Sequence, residues 1–124
     1  MFHSLRIPTI ALAMFALSGT AQADEEMQRI IAAAMPHMHY SCESVLEAHP
    51  GDDQVVADIV RLMAMVSLYN RQIDILALIP DEADRAGLKD DFVKELGDTC
   101  DDDPGRLLAA AVDDAVKETM DAYE

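Results

Sequence analysis

The chain has 124 residues, 51% hydrophobic but only 5% aromatic, and a formal charge of −15 at pH 7. All 24 acidic residues follow position 23, against eight of the nine Lys and Arg, so residues 24–124 carry −16. That charge argues against a nucleic-acid partner and against docking on anionic membranes, since both would repel it.

The chain opens MFHSLRIPTIALAMFALSGTAQADEE. Arg6 precedes an apolar run from about Ile10 to Leu17, and the small residues that follow end in Ala21-Gln22-Ala23, the A-x-A pattern read by a signal peptidase. The run is too short to span a bilayer. A cleaved signal over 1–23 is therefore expected, with Asp24 first in a single mature domain of residues 24–124, located in the periplasm. Export gives Cys42 and Cys100 their context, because an even pair in an oxidising compartment forms one intrachain disulfide. Closing a loop of roughly 60 residues contributes about 4 kcal/mol in the loop-entropy account. No CxxC supports a redox pair or a thiolate metal site.

Everything after the signal reads as helix. "DEEMQRIIAAAM" places Met27, Ile30, Ile31 and Ala34 on one stripe, with three acids at its positive N-terminal end, and Pro36 stops it. Ser41 is placed as an N-cap, followed by a stripe of Cys42, Val45, Leu46 and His49. Pro50-Gly51 ends that helix, and Asp52 or Asp53 caps the next. The third segment, "QVVADIVRLMAMVSLYNRQIDILALI", is about 26 residues long and apolar around most of its circumference, with Asn70 a candidate interruption. Asp58, Arg61, Arg71 and Asp74 argue against a membrane span in it. Such a helix is expected to be central, covered by neighbours or by a second chain. Pro80 and Asp81 break it. "LKDDFVKELGDTC" aligns Phe92, Leu96 and Cys100. The last helix is expected to begin with aspartate caps and Pro104 in its first turn, burying Leu108, Ala111, Val112, Ala115, Thr119 and Met120. The expectation is a small all-α bundle of about four to five helices stapled by one disulfide.

Catalytic and metal motifs are missing from the sequence: there is no P-loop, G-x-G-x-x-G or H-E-x-x-H, and no carboxylate pair stands out as an acid/base dyad. No enzyme, catalytic residue, cofactor or resident metal is expected. "MPHMHYSC" is the one stretch with soft-metal donors, Met35, Met38, His37 and His39, of a kind that suits copper. Its primary reading is helix punctuation between Pro36 and the Ser41 cap. Its second is a titratable hinge, in which His37 and His39, with His49 on the following helix, gain charge in mild acid. With every carboxylate protonated as well, the eight basic side chains and these three histidines leave about +11.

Two stretches together carry a family resemblance. "YSCESVLEAHPGD" (Cys42, Glu43, Leu46, Pro50) and "DTCDDDPGRLLAAAVDDAV" (Cys100, Pro104, Leu107, Val112) resemble the two cysteine segments of the HdeA/HdeB-type periplasmic acid-stress chaperones. The chain departs from that family in a longer, more apolar middle helix, in lacking a lysine-rich tail and in its acidity. The resemblance implies an ATP-independent holdase, a homodimer at neutral pH, that loosens in acid and keeps acid-unfolded periplasmic clients in solution. Val55, Val56, Ile59, Leu62, Met63, Met65, Val66 and Leu68 are the residues nominated for client and dimer contacts, and His37, His39 and His49 for pH sensing. Methionines suit such a surface because they repack against varied partners. An acidic inhibitor or immunity-type protein that neutralises a basic partner by charge complementarity is the alternative class. A copper-binding periplasmic protein is a third.

Overall fold

The computed structural model describes residues 24–123; the expected signal, 1–23, lies outside them. Residues 24–34 are helical (α1) and bury Ala34, and Met35–His37 then tighten into one 3-10 turn with Pro36 in it. Proline removes a donor that a continuing helix needs, so the chain turns where the sequence said it would.

The second helix, α2 (Cys42–Ala48), starts from a reciprocal cap: the Ser44 amide donates to Ser41 Oγ at 2.9 Å, and the Ser41 amide to Ser44 Oγ at 2.7 Å. Caps of this kind contribute about 1 kcal/mol. Two further donors of its first turn are satisfied from across the molecule. Cys42 N–H reaches the Arg106 carbonyl at 2.9 Å and Glu43 N–H the Pro104 carbonyl at 3.0 Å, while Leu108 N–H returns to the Tyr40 carbonyl. Residues 104–107 therefore lie antiparallel to 40–43, with Ser41 opposite Leu107.

That arrangement corrects the expected start of the last helix. Helix α6 (Leu88–Asp102) runs on through the aspartates, Asp103 is its C-cap, and Pro104 lies in the connecting turn. Helix α7 (Leu108–Asp121) begins only after Leu107, with no side-chain cap. The carbonyls of 104 and 106 are committed to α2, which leaves the turn too extended to start a helix earlier. Leu46 is a second correction. It is 57% exposed, whereas Val45 is buried, because α2 packs chiefly on α7 and covers only a narrow face.

The long apolar segment is also shorter as a helix than its pattern suggested. Helix α3 (Asp53–Asn70), capped by Asp52, ends at Asn70, and two one-turn helices follow, α4 (Ile75–Leu78) and α5 (Glu82–Arg85). The stop is a Schellman-type closure. Gln72 N–H bonds the Tyr69 carbonyl, Ile73 N–H bonds the Leu68 carbonyl, and Gln72 takes a left-handed φ of 57°. Asp74 and Asp81 cap the two short helices.

The core lies where α3 and α6 pack against α7. Every residue expected on the buried face of α7 is buried, with Ala111 and Val112 fully so. Ile59, Met63 and Ser67, four apart on α3, meet this face, and Phe92, Leu96 and Cys100 pack on it half-buried from α6. Full burial of one large apolar side chain stabilises by about 1.5–3 kcal/mol, so α7 supplies much of the stability. Cys42 and Cys100 are joined, with 5.6 Å between Cα atoms, and tie α2 to the end of α6. The protein is a small all-α domain stapled by one disulfide.

Candidate functional site

The nominated residues of α3 divide by the face they occupy. Ile59 and Met63 belong to the core. Val55, Val56, Leu62, Val66 and Leu68 are half-buried flanks, and Met65 stands 40% exposed on the opposite side. An apolar circumference on α3 is thus covered on one side only by its own chain.

The uncovered side continues past the helix end. Tyr69 is 52% exposed and Leu76, on α4, 66%. Met27 and Ile30 of α1 approach the same place, and together with Leu68 and Ile73 these residues border an apolar cleft of about 320 Å³. Exposed contiguous apolar surface of this kind marks interaction sites. The sequence singled out Met65 but missed Tyr69 and Leu76, whose exposure depends on the turn at 71–74.

One polar cluster holds this end of α3 to the core. Asp113 on α7 accepts from the Ser67 hydroxyl at 2.6 Å, from Arg71 Nε at 3.0 Å and from Arg71 Nη2 at 2.8 Å. The bidentate fork fixes geometry as well as charge. Hydrogen bonding from Arg71 is the main cause that holds the Asp113 carboxyl below its ordinary range; Ser67 adds to it and burial opposes it. The same pair raises the Arg71 guanidinium. Both side chains are about a third or more exposed (31% and 44%), so solvent screens the pair and its net contribution is that of a good surface bridge. No local pattern in the sequence joins Arg71 to Asp113, because 42 residues separate the two. Arg61 pairs with Asp58, on the solvent side of its own helix. A second cross-element bridge, Arg106 to Asp114, pins the 104–107 segment to α7. At the C-terminal end of α7 the Tyr123 hydroxyl donates to Asp91, an interaction that raises the phenol.

The three nominated histidines gather around one ring. His39 lies 4.3 Å from Tyr40, centroid to centroid, while His37 stacks and His49 presents an edge, each at 6.0 Å. The sequence treated His37 and His39 as a hinge and His49 as a separate helix residue; Tyr40 is what unites them. His49 Nε2 is buried with no hydrogen-bond partner. No three His, Cys, Asp or Glu side chains gather as a metal-ligand set among the described residues. No helix among them is long and apolar enough to cross a membrane.

Fold and site together define a small, acidic, disulfide-stapled helical domain with a one-sided apolar surface. No protein-family model, curated protein or solved structure matches the chain.

Proposed function

We propose that this protein is a periplasmic, ATP-independent acid-stress holdase, exported by a cleaved signal and paired as a homodimer at neutral pH. The observation that carries the reading is the position of the Asp113 clamp. It lies on the same helix end as Met65 and Tyr69, so a titratable bond sits between the folded core and the apolar surface. In acid the clamp and the other carboxylates are neutralised, the −16 charge is lost, and the end of α3 with α4 and α5 swings away from α7. The half-buried Val66 and Leu68 then join Met65, Tyr69 and Leu76 as a client-binding surface. The disulfide and the α6–α7 core keep the remainder assembled. Two features of the sequence add support: the resemblance of both cysteine segments to the acid-stress chaperones, and a central helix rich in methionine.

The test is aggregation of an acid-sensitive periplasmic enzyme, followed by light scattering from pH 7 to pH 2 with and without the protein. Suppression below about pH 4, absent at pH 7, is expected. Asp113→Asn, which mimics the protonated clamp, is expected to shift the onset to higher pH. Equal client aggregation with and without the protein at every pH would sink the proposal.

A further inference from the structure

Across Leu68 from the exposed patch, the junction of α3, α6 and α7 is left unfilled. The cavity holds about 240 Å³ and is walled by Ala64 and Leu68 of α3, Leu88 and Phe92 of α6, and Val116 of α7. It is smaller than the roughly 300–1,000 Å³ of drug-sized sites, which suits a small ligand such as one alkyl chain. Two features give this apolar space a polar address. Thr119 lines it at 4% exposure, and its hydroxyl has no hydrogen-bond partner. A buried hydroxyl without a partner is costly, and a ligand oxygen would relieve it.

The second feature is charge. Arg85 and Lys89 are the only charged residues among those lining the cavity, in a chain with just eight cations against 24 acids after position 23. Neither pairs with a carboxylate among the described residues. Arg85 uses one nitrogen, Nη1, to hold the Ile79 and Pro80 carbonyls at 2.8 and 2.9 Å. The first turn of α6 begins here as well, from Gly87, with no side-chain cap to accept its amides. Its positive end adds to the two cations. Asp84, Asp90 and Asp91 lie on the same elements, but none lines the cavity, and Asp91 is turned to Tyr123.

We infer that this cavity binds a single-chain amphiphile with an anionic head, in its simplest form a medium-chain alkyl carboxylate. The chain lies between α3 and α6, and the head group meets the Thr119 hydroxyl, with Lys89, Arg85 and the first turn of α6 supplying the positive charge. The site shares Leu68 with the acid-opened surface and is formed while α3 to α5 still lie against α7, so it operates at neutral pH.

The probe is decanoate, titrated into the whole protein at pH 7 below its micelle concentration and followed by calorimetry and by amide shifts. One saturable site is expected, with shifts centred on Leu88, Phe92 and Thr119. Lys89→Glu, an exposed position that should fold normally, is expected to weaken binding about tenfold by replacing an attraction with a repulsion. Val116→Phe should abolish it by filling the space. Decyltrimethylammonium, with the same chain and the opposite charge, should bind at least tenfold less well. The inference is overturned by an absence of saturable binding, by equal affinity for the cationic probe, by an unchanged Lys89→Glu, or by shifts centred instead on Tyr69 and Leu76.

Discussion

Helix α7 and the stretch from Met65 to Arg85 are built on opposite terms. Seven of the fourteen residues of α7 are buried, and it is fastened by core packing, by the Arg106 bridge and, through α2 and α6, near a disulfide. The stretch from Met65 to Arg85 contributes only Ser67 and Ile79 to the buried residues and is made of a helix end, a left-handed turn and two one-turn helices. Its main polar tie to α7 is the Asp113 clamp, which acid can neutralise. Apolar content and stability are distributed differently here. Sequence stretches of similar greasiness form the firmest part of the fold in one place and the loosest in the other, and local opening is drawn from the loose end.

Removing the staple should weaken the firm region most. Cys42→Ser is expected to cost about 4 kcal/mol in urea unfolding at pH 7. A loss below about 1 kcal/mol would mean that the core holds α2 without it. Met63→Ala, at the meeting of the two regions, should cost about 2–5 kcal/mol, with a matching fall in thermal midpoint.

Asp113→Asn tests the clamp alone, and about 1 kcal/mol is expected at pH 7. The sign with pH is fixed by the direction of the shift. A carboxyl held below its ordinary value stabilises the fold fully above that value and ceases to do so as the pH falls through its folded one. The gap between Asp113→Asn and the parent should therefore close below about pH 4. A gap that widened in acid would assign the effect to something other than this carboxylate.

The smallest change concerns the turn itself. Gln72 occupies the left-handed position of the helix stop, where glycine carries no steric penalty. Gln72→Gly should stabilise by about 0.5–1 kcal/mol, with the added freedom of the unfolded chain taking back part of the relief. A destabilised Gln72→Gly in chemical unfolding would show that the side chain contributes contacts of its own.

These elements also show why some of the fold was legible in the sequence and some was not. The Ser41 cap, the Pro36 stop and the buried stripe of α7 are set by neighbours within one or two turns, and each was readable as a local pattern. The end of α3 was legible in part: Asn70 stood out as a candidate interruption and is the last residue of the helix, but Gln72 as the left-handed residue of the closure did not stand out, because glycine or asparagine usually takes that position. The false start of α7 has a different origin. Asp101 to Pro104 has the composition of a helix beginning, but the Pro104 and Arg106 carbonyls are used by α2, some 60 residues away in the chain, through pairings that no local pattern encodes. The candidate site was half legible for the same reasons. The α3 residues and the histidines stood out by type, whereas Asp113, Tyr40 as the centre of the histidine cluster, and the exposure of Tyr69 and Leu76 all depend on tertiary placement.

Acid is expected to open one region and spare the other. Hydrogen exchange followed by mass spectrometry at pH 6 and pH 3, corrected for intrinsic rates, reads this directly. Residues 65–85 should lose their protection at pH 3, while 108–121 keep most of theirs. Loss of protection in both regions together, or retention in both, would contradict the account.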